Sequence, residues 1–115
     1  MLNRQHRFHG YGSLRRVYSN GNSARGSLVS LRYAMRKDNK PYRVAVVVGR
    51  KVHKSAVKRN RIRRRLYEII RRSNDVPEST DLIFTVYSDR VAEIPATELE
   101  TMINDLLVKT SPSTS

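Results

Sequence analysis

Between Arg50 and Arg72 the chain reads RKVHKSAVKRNRIRRRLYEIIRR, a run that holds eleven of its 23 lysines and arginines against one acid, Glu68, and so carries +10 of the total formal charge of +13. Charge this dense folds only if it is turned away from a core, and the apolar residues inside the run say how. Ile62, Leu66, Ile69 and Ile70 recur at i, i+4, i+7 and i+8, one stripe of a helix with 3.6 residues per turn. Asn60, Arg64, Tyr67 and Arg71 then lie opposite, with Arg61 on the flank and Ser55 as the candidate N-cap. A guanidinium offers a planar fork of donors that matches two phosphate oxygens, so a helix with one buried face and one arginine-rich face suits nucleic acid. A plain solvated face is the competing reading, but such faces mix signs at i, i+4, and this one barely does.

The remaining composition narrows the field. A chain of 115 residues with 38% apolar residues is long enough for one domain with a modest core. Cysteine is absent, which removes disulfides, thiolate nucleophiles and zinc knuckles and fits a reducing compartment. The first twelve residues contain Arg4 and Arg7 but no apolar segment behind them, and no window approaches the roughly 18 residues needed to span a bilayer, so a cytoplasmic protein is expected. Attraction to a membrane surface is disfavoured because the basic helix has no Trp or Phe anchors and its apolar face is needed for a core. The expected organisation is a flexible basic lead-in (1–12), a single domain (13–108) and a flexible tail (109–115), without repeats.

Taken in order, Ser13 is a candidate cap for a short helix whose face is Leu14, Val17 and Tyr18, stopped by Gly21. Asn20 to Gly26 reads as a loop. Leu28 to Met35 alternates, with Val29, Leu31, Tyr33 and Met35 on one side and Ser30, Arg32 and Ala34 on the other, which predicts a strand with one open face. Arg43 to Val48 is apolar on both sides and predicts a central strand. Ser73 to Thr80 breaks the basic helix, Leu82 to Tyr87 is the next strand, Asp89 to Pro95 a loop, and Leu99, Met102, Ile103 and Leu106 the stripe of a last helix with Thr97 and Glu100 at capping-box spacing. The expectation is an α+β domain in which helices cover one side of a small sheet.

Cutting a phosphodiester with protein groups alone needs carboxylates that hold one or two metal ions, or histidines for acid and base work. The ten acids are scattered, with six at or beyond Asp81 and no DxD-like cluster. His6 and His9 are three apart but lack acids nearby, and His53 stands alone at the start of the basic run, more fit for a polar contact than for a base. The residues therefore predict a protein that binds RNA and does not cleave it unaided. A ribosomal or other structural ribonucleoprotein component and a metal-dependent nuclease are the alternatives.

The segment Lys58-Arg59-Asn60-Arg61-Ile62-Arg63-Arg64 resembles the RNR signature of the bacterial ribonuclease P protein family. Arg43 to Lys51 is similar to that family's strand leading into its RNA-binding helix, Leu14 to Gly21 to its first helix, and Thr80 to Phe84 with the closing apolar helix to the remainder, so the resemblance covers about residues 13–108. It implies a sheet of about four strands with about three helices and a left-handed β-α-β crossover (ribosomal protein S5 domain 2-like), where general handedness rules favour the opposite hand. It implies that a catalytic RNA subunit with bound magnesium hydrolyses precursor tRNA to release the 5′ leader, that the chain itself binds no cofactor, and that its partners are that RNA, in a one-to-one complex, and precursor tRNA, with no protein partner. The implied RNA-subunit contacts are Arg50, Lys51, Lys54, Lys58, Arg59, Asn60, Arg61, Arg64 and Arg65. Asn60 is a poor helix former, which suits a residue kept for a hydrogen bond. The implied leader site is Leu14, Tyr18 and Arg32, with Leu14 where the family often has Phe and Arg32 where an aromatic is common. Tyr87 stands where the family often has a basic residue.

Overall fold

Ser55 decides where the basic run becomes helix. Its backbone is extended (φ −75°, ψ 124°) and its hydroxyl accepts from the Lys58 amide at 3.4 Å, satisfying one of the donors that a helix start leaves unpaired. The helix then runs Ala56–Arg72, with Arg71 and Arg72 in the last turn, where the carbonyl end of the dipole favours cations. The computed structural model describes His6 and residues 11–36, 41–73, 76 and 78–110. The elements are α1 (Tyr11–Asn20), β1 (Asn22–Arg25), β2 (Val29–Met35), β3 (Arg43–Val48), α2 (Ala56–Arg72), β4 (Thr80–Val86) and α3 (Ala96–Val108), with a 3-10 turn at Asp89–Ala92.

The four strands form one mixed sheet in the order β1-β2-β4-β3. β2 and β4 are antiparallel with Leu31 opposite Phe84 and Arg32 opposite Ile83, while β3 runs parallel to β4 with Val46 opposite Phe84. Strand alternation sends Val29 and Leu31, Phe84 and Val86, and Val44, Val46 and Val48 to one face, where they bury against Ile62, Leu66, Ile69 and Ile70 of α2 and Leu99, Ile103, Leu106 and Leu107 of α3. Each such side chain contributes about 1.5–3 kcal/mol of transfer free energy, so the phase of α2, and with it the outward direction of its arginines, is fixed by the core.

On the opposite face α1 docks through Val17, which is fully buried with Ala34 and Ile83. Helices therefore cover both faces, not one as the pattern predicts, because α1 contributes its own apolar side chains to the second face. Gly21 turns the chain out of α1: its amide donates to the Val17 carbonyl at 2.9 Å, and a Cβ there would lie 2.3 Å from that oxygen and 2.8 Å from the Tyr33 carbonyl oxygen, a clash no side chain tolerates.

Several boundaries differ from expectation. The first helix begins at Tyr11, so Ser13 lies inside it and is not its cap. The expected loop after α1 contains β1, a short edge strand whose NSAR sequence buries only Ala24 and is held by backbone pairing, leaving no alternation to read. β3 is an edge strand and β4 takes the inner position, since Ala45 and Val47 on the second face of β3 are not buried. β4 begins at Thr80, absorbing the end of the expected break. The cap of α3 is Pro95, with Thr97 already in the first turn and no side-chain capping bond. Thr110, assigned to the tail, is buried and donates its hydroxyl to the Leu107 carbonyl. His6 donates from Nδ1 to the Tyr42 carbonyl at 2.9 Å and stacks on the Tyr42 ring, while His9, most of the lead-in and 111–115 lie outside the described residues.

Candidate RNA-binding surfaces

The cations of the basic run divide into two groups. Arg65 extends sideways from α2 and donates to the carbonyls of Val91 and Ile94, both at 2.6 Å, which ties the 3-10 turn to the helix. Arg59 donates to the carbonyls of His53 and Lys54 at 2.9 Å and so clamps the loop before α2. Lys58 pairs with Glu93 at 3.3 Å, Arg63 donates to Asn60 Oδ1, and Arg71 grips both carboxylate oxygens of Glu68. The Arg71 hydrogen bond holds the Glu68 carboxyl below the ordinary carboxylate range. The pair's small contribution to stability is thus present above that range and lost as pH falls through the lowered value. Arg72 closes on the Glu68 carbonyl.

Arg50, Lys51, Lys54, Arg61 and Arg64 form the second group. All five are exposed, and none donates to another group among the described residues. Arg61 and Arg64 are i, i+3 on α2 and share a surface. The loop that carries the other three is shaped by the Arg59 clamp, by the Val52 amide donating to the Gly49 carbonyl at 3.0 Å, and by the Ser55 amide donating to His53 Nδ1 at 3.0 Å. Of the nine side chains that the resemblance assigns to the RNA subunit, Arg65 is the one whose guanidinium faces two backbone carbonyls across the molecule. Arg59 and Lys58 are partly engaged within the chain, and Asn60 is exposed beside Arg63.

An amide can only donate, so His53 Nδ1 is a lone-pair acceptor and the proton of the neutral ring sits on Nε2. The ring nitrogen left over is thus no proton acceptor. Among the described residues no three His, Asp or Glu side chains group closely enough to hold a metal ion. Asp81, the one acid in the sheet interior, is fully buried and taken up by Arg43, which donates to both its oxygens at 2.8 Å, and by Arg36. Sequence reading missed this triad, although an Asp inside the apolar run TDLIF was its signal.

The second surface lies between α1 and the sheet. Leu14 packs beside Val17 against Ala34 and Ile83, so it anchors the helix more than it faces solvent. Tyr18, one turn on, is 46% exposed. The guanidinium of Arg32 lies 5.6 Å from the centre of the Tyr18 ring and donates to the Tyr18 carbonyl at 2.7 Å, while Arg32 Nε is buried without a hydrogen-bond partner. The structure therefore brings Leu14, Tyr18 and Arg32 together as one corner, with the tyrosine ring held by a cation–π contact. Val47 and Tyr87 are exposed on the same side of the sheet, and the Tyr87 hydroxyl is 2.6 Å from Ser30 Oγ.

The family described as Ribonuclease P matches residues 2–111. A ribonuclease P protein component of Pseudanabaena sp. is 32% identical over 75% of this chain and 75% of its own length. One of Synechococcus sp. is 39% identical over 62% of this chain, and the match spans 56% of that relative's length. The ribonuclease P protein of Thermotoga maritima superposes with a TM-score of 0.81 over 92% of this chain and 98% of that one, and that of Staphylococcus aureus with 0.78 over 92% and 95%, each at 18% identity.

Proposed function

Because the chain belongs to the ribonuclease P protein family, we propose that it is the protein subunit of a ribonuclease P holoenzyme, binding the catalytic RNA through the loop before α2 and the outer face of α2, and the 5′ leader of precursor tRNA across the corner formed by Tyr18 and Arg32. The observation that carries the reading is the set of five exposed cations without partners among the described residues, Arg50, Lys51 and Lys54 in the loop before α2 and Arg61 and Arg64 on a helix whose other face is locked in the core. Such groups lower the repulsion between two RNAs and release counterions on binding. Tyr18 offers a ring face to an unpaired base, and Arg32 beside it a charge for the phosphate.

In this reading hydrolysis belongs to the RNA subunit with its magnesium, and the chain contributes position and charge. The carboxylates support that division: Asp81 is neutralised by two arginines and Glu68 by Arg71, so neither is arranged as a metal ligand. No helix among the described residues is long and apolar enough to cross a membrane, and the reading places the complex in the cytoplasm. The test is cleavage of precursor tRNA by the purified protein, the cognate RNA, and both. Cleavage at low magnesium only when both are present is the expected outcome; cleavage by the protein alone overturns the proposal.

A further inference from the structure

The open face of the sheet carries a second aromatic side chain that the leader corner does not use. Tyr87 follows β4 and is 57% exposed, yet it is fixed at both ends: its amide donates to the Leu28 carbonyl at 2.8 Å, and its hydroxyl is 2.6 Å from Ser30 Oγ. Ser30 alternates with core-facing Val29 and Leu31, so the ring lies on the face that bears Arg32. Ser30 and Arg32 are two residues apart on β2 and rise from that face about 7 Å from each other. Tyr18, Arg32, Ser30 and Tyr87 thus form a row, with exposed Val47 on β3 extending the floor beside it. Asp81 is the only acid among the described strand residues on this face, and Arg36 and Arg43 answer its charge, so no described strand residue there opposes an anionic strand.

We propose that Tyr87 is a second stacking platform for the same single-stranded leader, taking a base beyond the one that Tyr18 holds. The inference rests on the leader reading given above. A base presents a π-face whatever its identity, so a ring at this place adds affinity without sequence preference. A ring already tethered through its hydroxyl also loses little freedom when a base settles on it. With Ser30 and Tyr87 sharing one hydrogen bond, one of the two hydroxyl protons remains free to meet an acceptor on the nucleotide.

The experiment uses the holoenzyme assembled with its cognate RNA and a series of precursor tRNAs whose leaders lengthen one nucleotide at a time. Tyr87→Ala weakens binding roughly 5- to 150-fold, the range of one base stacked on one ring, and only above a leader length greater than the length at which Tyr18→Ala begins to matter. Tyr87→Leu, which fills the space without a π-face, loses as much as Tyr87→Ala, and Tyr87→Phe, which keeps the π-face but loses the tether to Ser30, falls between wild type and Tyr87→Ala. An abasic nucleotide at the responsive position removes the difference between wild type and Tyr87→Ala. A loss equal for precursor and mature tRNA, or one that persists with the abasic leader, overturns the platform. If Tyr18→Ala depends on leader length and Tyr87→Ala does not, only this inference falls; if neither does, the leader reading falls and takes it along.

Discussion

The outer surface of α2 and the open face of the sheet would meet the same kind of polymer, but they are built by opposite means. On and before α2 the contacts come from one continuous stretch, Arg50 to Arg64, and its five free cations reach outward independently, Arg61 and Arg64 because the helix phase is set by Ile62, Leu66, Ile69 and Ile70 behind them. On the open face the groups come from residues as far apart as Tyr18 and Tyr87, and each is held by a neighbour: Tyr18 by Arg32, Tyr87 by Ser30. A charged surface of the first kind loses affinity by increments. A stacking surface of the second kind works only while its supports stay in place, because a ring that must first be ordered gives back much of what stacking gains.

The largest effects are expected where the supports themselves are removed. Asp81→Ala leaves Arg36, whose side chain is 5% exposed, beside Arg43 without the carboxylate between them, and breaking a buried pair in this way costs about 3–5 kcal/mol. The denaturant midpoint should fall accordingly, and leader discrimination should fall before RNA-subunit binding does. Leu66→Ala removes a fully buried side chain under the arginines and should cost about 2–5 kcal/mol. Arg61→Ala, by contrast, should leave Tm unchanged and impair the holoenzyme most at low magnesium. An unfolded Arg61→Ala beside an intact Leu66→Ala would reverse the assigned phase of α2.

The difference between the surfaces also explains what the sequence could show. The face of α2 was legible because period and charge sign are local properties, and the same holds for the Ser55 cap and the Gly21 stop. Which arginines are held by their own chain was not legible: Arg65 is bound to carbonyls at Val91 and Ile94, contacts that exist only after the 3-10 turn packs on α2. β1 escaped notice because an edge strand of NSAR pairs through its backbone alone, and β3 passed for central because Ala45 and Val47 are apolar without being buried. The Tyr87–Ser30 contact joins residues 57 apart and leaves no pattern at either.

A loss on the order of 1–3 kcal/mol is expected for Tyr18→Ala in the affinity of the holoenzyme for precursor tRNA with a leader of several nucleotides, and none for mature tRNA. Tyr18 is nearly half exposed, so the melting temperature should hold. Arg32→Ala should show the same selectivity with a greater dependence on salt. Equal losses for precursor and mature tRNA would remove the leader from this corner. For the RNA subunit, five free cations imply a slope of log K against log salt of about −4. Arg61→Ala and Arg64→Ala should each reduce it by about 1, and Arg65→Ala by less while lowering Tm.

The smallest effect tests the division of cations itself. Lys58 pairs with Glu93, whose side chain is 71% exposed, and exposed pairs of this kind contribute only about 0–1 kcal/mol to stability. Glu93→Gln should therefore leave Tm almost unchanged. It also deletes a negative charge beside the basic surface and releases Lys58, one helical turn before Ile62, to reach phosphate as the five free cations do. Binding of the RNA subunit should tighten slightly, and the salt slope should steepen by no more than about one unit, the share of a single added phosphate contact. Because the substitution adds no new side-chain reach, a steeper slope can come only from Lys58 and the lost repulsion. An unchanged slope in Glu93→Gln, alongside a reduced one in Lys58→Gln, would mean that Lys58 already contacts RNA while paired and that pairing within the chain does not decide which cations bind.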